Sequence, residues 1–144
     1  MGAITVTAST VKIMNENEVV KIRGACGATV TPGQPVYLDG TSGWKPADAD
    51  AAASGMARGI AVSDAYGSTS FVSGTAIDIV VYGRVGGLAS MTPGGNVYVS
   101  LDAGNLDQTA PPNSGDFIFA VGWAESATVL FVQPQITVPT ANAS

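Results

Sequence analysis

Eleven Asp and Glu residues, six Lys and Arg, one cysteine and no histidine are the chemical inventory of this 144-residue chain. Without imidazole it lacks the side chain that most often moves protons near neutral pH and most often binds transition metals. Carboxylate pairs are the first alternative, because two acids about 5–9.5 Å apart can hydrolyse a glycosidic bond. Asp48 with Asp50 and Asp102 with Asp107 are close enough in sequence to be such pairs. All four fall in stretches that read as loops, where aspartate more often shapes a turn. Asp48-Ala49-Asp50 also opens like a calcium-binding loop, but the sixth position is Ala53 rather than glycine and no terminal glutamate follows. The glycines of RGACGAT at 23–29 and YGRVGGLAS at 82–90 have neither phosphate-loop nor dinucleotide-loop spacing and suit tight turns. The expectation is a protein that is not an enzyme, with no cofactor, no metal and no catalytic residues.

Composition narrows the partners. A net charge of −5 repels phosphate backbones, so no nucleic acid is expected. The longest apolar run, FIFAVGWA at 117–124, is far short of the ~18–20 residues of a membrane helix, so no membrane is expected either. The N-terminus lacks a basic stretch followed by an apolar one, and a single cysteine, Cys26, fits neither a disulfide framework nor a zinc site. These features predict synthesis in a cytoplasm, with Cys26 as a small buried residue.

The elements that must position any site are short strands. Runs of β-branched and aromatic residues, bounded by Gly, Pro, Asn, Asp and Ser, occur at 3–8, 19–23, 35–38, 59–62, 76–83, 96–101, 117–124 and 128–132. With 18 glycines, 8 prolines and only 12% charged residues, this is an all-β chain. We expect one domain of about eight short strands, a β-barrel, β-tulip or sandwich. The Ala-rich stretch 47–54 reads as loop or a single helical turn, being too short to be helical alone. Ile77, Ile79 and Val81 alternate around Asp78 before Val80 makes the pattern continuous, as in a half-buried strand that becomes fully buried.

The two halves echo each other. TPGQPVYL at 31–38 repeats as TPGGNVYV at 92–99, and ARGIAVSDA at 57–65 as AVGWAESAT at 120–128. Each Pro-Gly pair suits the centre of a type II turn, with proline setting φ and glycine accepting positive φ. The body therefore spans 11–132, with an internal duplication into repeat-like units 31–65 and 92–128. Residues 1–10 and 133–144, uncharged and rich in Thr, Ala and Pro, read as extended termini: an N-terminal arm and a C-terminal tail. Ile4-Thr5-Val6-Thr7 has the composition of a strand that adds to a partner's sheet edge, or to its own. Of the aromatics, Trp44 stands out beside a predicted hairpin tip and, with Lys45, is the candidate interface pair, since such rings are enriched at binding hot spots.

The stretch PVYLDGTSGWKPADADAAASGMARGIAVSDA at 35–65, followed by AIDIVVYGRV, resembles the central part of lambda-type head decoration (cement) proteins of tailed bacteriophages. There, too, a P-x-x-L-D strand leads into a short hairpin and a glycine-led apolar strand. The resemblance covers about half the chain, and the duplicated unit and longer tail depart from it. It implies a homotrimer that binds the major capsid protein on the outer surface of the virion head and braces the coat against packaged DNA, with Ile4, Thr5, Val6 and Thr7 as the coat-binding arm. The alternative from the same residues is a tail, baseplate or fibre-tip module that binds a host glycan through Trp44.

Overall fold

A computed structural model describes residues 2–64 and 66–142. The strands are β1 (Thr5–Val6), β2 (Lys12–Ile13), β3 (Val20–Ala25), β4 (Pro35–Asp39) and β5 (Gly43–Pro46). A single helical turn, α1 (Ala52–Gly55), precedes β6 (Gly59–Val62), the long β7 (Ala76–Gly86) and β8 (Leu88–Ala89). The chain continues through β9 (Asn96–Val99), β10 (Leu106–Asp107), β11 (Phe117–Ile118), β12 (Ala120–Ala124), β13 (Leu130–Val132) and β14 (Thr140–Ala141). All eight runs read from the sequence contain or overlap a strand. The expected all-β single domain is what forms, as a curled antiparallel half-barrel sheet.

The sheet is organised by β7, which is long enough to serve two sets of neighbours. Its first half lies between β3 and β6, with Lys21 and Ile60 both opposite Val80. Its second half lies between β2 and β13, with Ile13 and Leu130 both opposite Val85. The change of partners falls at Gly83, whose φ of +124° is open to glycine and closed to most side chains. A Cβ there would also stand 2.9 Å from the Glu18 carbonyl and the Val19 Cα.

Two units result, related residue by residue. In the first, β4 pairs with β6 and β6 with β7: Pro35 faces Ile60, Ile60 faces Val80, and Ala61 faces Ile79. In the second, β9 pairs with β12 and β12 with β13: Asn96 faces Trp123, Trp123 faces Phe131, and Ala124 faces Leu130. The outer hairpins match as well, Leu38 opposite Trp44 and Val99 opposite Leu106. The Pro-Gly turns also coincide. Gly33 and Gly94 have φ of +95° and +85°, and their amides donate to the carbonyls of Ala61 (2.8 Å) and Ala124 (2.7 Å). The echo in the sequence is thus a duplication of strand register.

The units stack face to back. The inner face of the first, Val36, Trp44, Ala61, Ile77 and Ile79, closes over Cys26, Val30 and Phe71 in a core of its own. Its outer face, with Ile60 and Val80 fully buried and Tyr37 half-buried, packs on the inner face of the second: Val97, Val99, Leu106, Ala124 and Leu130. Each such aliphatic side chain contributes about 1.5–3 kcal/mol when fully withdrawn from water. Alternation at period two sends successive residues of β6 and β7 into different cores, so strands of four to eleven residues suffice for both.

The N-terminal segment lies on this body. Thr5 and Val6 pair with Ala89 and Leu88, Ala3 bridges to Asp107, and Ile4 is only 8% exposed within the larger core. The Ile4 amide donates to the Leu106 carbonyl (3.2 Å), as the Gly27 amide does to that of Trp44 (2.7 Å) in the first unit. Of the two pairings open to this segment, the structure shows the intramolecular one, because an apolar Ile4 gains more from the core than from water. The tail is likewise pinned where β14 pairs with β11.

The equivalent glycines of the two return strands, Gly59 at the start of β6 and Gly122 in the middle of β12, have one physical cause. A Cβ on Gly59 would collide with the Val80 carbonyl oxygen, and one on Gly122 with that of Phe131, the equivalent residue. Gly59→Ala and Gly122→Ala should each destabilise the fold by about 1–3 kcal/mol in urea denaturation, as overpacking of a close strand contact does. Gly40→Ala, at a site with open space around it, should leave the midpoint nearly unchanged.

Candidate functional site

One aspartate of each pair is a turn former. Asp48 accepts the Asp50 amide at 3.1 Å, and Asp107 accepts the Thr109 amide at 2.7 Å. Asp102 and Asp107 both border an open depression of about 490 Å³, with Ser100, Pro111 and Pro112 on its rim. Partial burial raises the Asp48 pKa above the ordinary carboxylate range, opposed by the Asp50 amide. Among the described residues no group of three or more acidic, cysteine or histidine side chains is arranged to hold a metal ion.

The other carboxylates are tied to local structure. Asp64 accepts the amides of Tyr66 and Ser68 (both 3.0 Å) and the Ser68 hydroxyl (2.8 Å), and the Ser68 bonds hold its pKa down. Asp78 accepts from Arg23 at 2.8 Å across β3 and β7. Two Ser-x-x-Lys spacings are also present, Ser9 with Lys12 and Ser42 with Lys45. The second is unsuited to base catalysis, because the Lys45 amine donates to Asp39 at 2.9 Å and its pKa is raised by that bond.

Trp44 is the clearest departure from the sequence reading. It is 8% exposed and belongs to the first core, not to a surface. Its ring lies against Gly24, where any Cβ would strike the indole, and Cys26 pairs with it as an isolated bridge. Its place beside a hairpin tip suggested exposure; its register, opposite Leu38 and equivalent to the buried Leu106, decides otherwise. Lys45, the other half of the expected pair, is half-buried and braces the hairpin through Asp39.

The exposed aromatic surface lies on the outer face of the second unit. Trp123 is 37% exposed and stacks on Phe131, ring centroids 5.3 Å apart and 18° from parallel. Tyr82, 47% exposed, meets Phe131 in a T-shaped contact at 5.2 Å. Beside them Arg84, opposite Phe131 on β7, donates through Nε to Glu125 (2.8 Å) and through Nη1 to Glu18 (3.1 Å). This platform joins strands distant in sequence, and no single motif in the chain announces it. The signal that could have found it is the alternation of β12, in which Trp123 falls on the face opposite Gly122 and Ala124.

No protein-family model and no curated protein matches this chain. The surface features the structure brings together are an aromatic platform framed by ion pairs, an open depression bordered by Asp102 and Asp107, and an N-terminal segment that pairs with β8.

Two outcomes follow. Trp44→Ala should cost about 3–5 kcal/mol by denaturant titration, as large-to-small changes of buried aromatics do, whereas Trp123→Ala should cost far less. Asp39 should titrate at about 2, held down first by the Lys45 bond and then by the Thr41 amide. Because its folded pKa is depressed, its stabilising contribution is present above ~pH 4 and lost as the pH falls toward 2. Lys45→Ala should return it toward ~3.9, followed by carboxyl chemical shifts in NMR.

Proposed function

We propose that the chain is a structural head-decoration (cement) protein of a tailed bacteriophage. It binds the major coat protein on the outer surface of the capsid as a homotrimer, bridges coat subunits and stiffens the shell against packaged DNA. It works without cofactor or catalysis; the protein is made in the host cytoplasm and ends in the virion. The observation that carries the reading is the stretch 35–65, which resembles the central part of lambda-type decoration proteins. It folds as the β4–β5 hairpin, the turn α1 and the return strand β6. The use of Asp39, Asp48, Asp64, Asp78 and Asp107 in turns and ion pairs supports a mechanical rather than a chemical role.

Within this reading the coat contact belongs to Thr5 and Thr7, the exposed members of the N-terminal segment. Ile4 is committed to the core, and Val6 is half-buried with a methyl group closing on Gly33. Extended backbone carrying Thr is suited to strand addition at a partner's edge.

The exposed Trp123, Phe131 and Tyr82 favour a second reading, a tail, baseplate or fibre-tip module whose rings stack on a host glycan. Copy number separates the two. Quantitative mass spectrometry of purified particles should give copies comparable to the major coat protein, and a Thr5→Asp, Thr7→Asp double variant should fold yet fail to load onto heads. A handful of copies per particle would transfer the protein to the tail; its absence from particles would overturn both readings.

A further inference from the structure

The duplication gives every surface of one unit a counterpart in the other, and one pair of counterparts is treated unequally. In the first unit the outer face is Pro35, Ile60 and Val80, all buried, together with Tyr37, and it is covered by the second unit of the same chain. The equivalent positions in the second unit, fixed by strand register, are Asn96, Trp123, Phe131 and Tyr98. Among the described residues no unit packs over that face, yet it carries large apolar side chains: Trp123 is 37% and Tyr82 47% exposed, and Val20, opposite Tyr82 on β3, is 55% exposed. An exposed cluster of this kind marks an interaction site more often than chance burial does.

We propose that this face is the self-association surface of the protein, and that its occupant is a second copy of the chain. The argument is the duplication itself. The same face of the same β-unit already packs once against a unit of this sequence, so it is built to receive a β-unit and not a thin ligand. The frame agrees with such a partner, since Arg84 is held between Glu18 and Glu125 and the platform carries charges of both signs, which two like faces can satisfy mutually. Open-ended stacking is blocked, because the complement used inside the chain is an inner face: that of the second unit is filled by the first unit, and that of the first unit is closed by Val30, Phe71 and Cys26. The contact must therefore close on itself as a dimer or a ring. This rests on the fold alone and not on the capsid reading, so the two can fail separately.

The two tryptophans make the test direct, because Trp44 is buried and Trp123 is not. Sedimentation velocity of the full chain across a wide concentration range should show a rise from monomer to one closed species. Acrylamide quenching of tryptophan fluorescence should fall over the same range as Trp123 is shielded. Trp123→Glu should weaken association by about thirtyfold or more, the scale of a hot-spot aromatic, with an unchanged far-ultraviolet circular dichroism spectrum. Tyr82→Glu, independently, should weaken it too and keeps the test decisive if the first variant does not fold. A wild-type chain monomeric at every concentration would overturn the proposal, as would association undiminished in both variants. So would shielding of Trp123 in a monomeric chain by added oligosaccharide or by coat protein alone.

Discussion

One strand holds the molecule together. β7 runs through the middle of the ten-stranded sheet, and its eleven residues must pair with β3 and β6 before Gly83 and with β2 and β13 after it. A strand in this position has both edges paired and both faces packed for part of its length, which accounts for the unbroken apolar run of Ile79, Val80 and Val81. Everything else is placed relative to it. The first unit hangs from one half and the second from the other, so the angle between them is set by backbone rather than by loose loops. The positive φ at Gly83 makes that possible, since a side chain there would meet the backbone of Glu18 and Val19.

A second constraint is close approach. Antiparallel neighbours stand about 4.7–4.9 Å apart, and in both units the return strand comes near enough to its neighbour that the equivalent glycine admits no Cβ. Two sequences that have drifted at most other positions keep this glycine and the alanine two residues on, Ala61 and Ala124, both fully buried. What drifted is equally informative. The hairpin position that is Trp44 in one unit is Leu106 in the other, and the position held by buried Ile60 in the first is held by exposed Trp123 in the second.

Much of this was legible in the sequence. The all-β class, the eight strand runs, the turns at Pro32-Gly33 and Pro93-Gly94, and the two related units follow from local patterns that each residue's own neighbours fix. Burial of Trp44 did not, because it depends on Gly24 lying beneath the indole, twenty residues away. The place of Ile4 was also hidden, since a Thr-rich terminus looks the same whether it projects or folds back. The aromatic platform draws on β7, β12 and β13, and only their register brings Tyr82, Phe131 and Trp123 together. Sequence patterns announce elements; proximity between elements is set by pairing that no window of the chain contains.

The seat of the N-terminus carries a consequence for time. Residues 20–86 hold every strand of the first unit, so that unit is complete in one continuous stretch of chain. The second is not, because the carbonyl that receives the Ile4 amide belongs to Leu106. On the ribosome residues 3–6 are made about a hundred residues before that partner, and in the interval Ile4 and Val6 have no core to enter. Pairings so far apart in sequence are slow to close and leave apolar segments exposed meanwhile. The chain meets that interval with a segment rich in Thr and free of long apolar runs, a composition with little to aggregate until its place in the sheet exists.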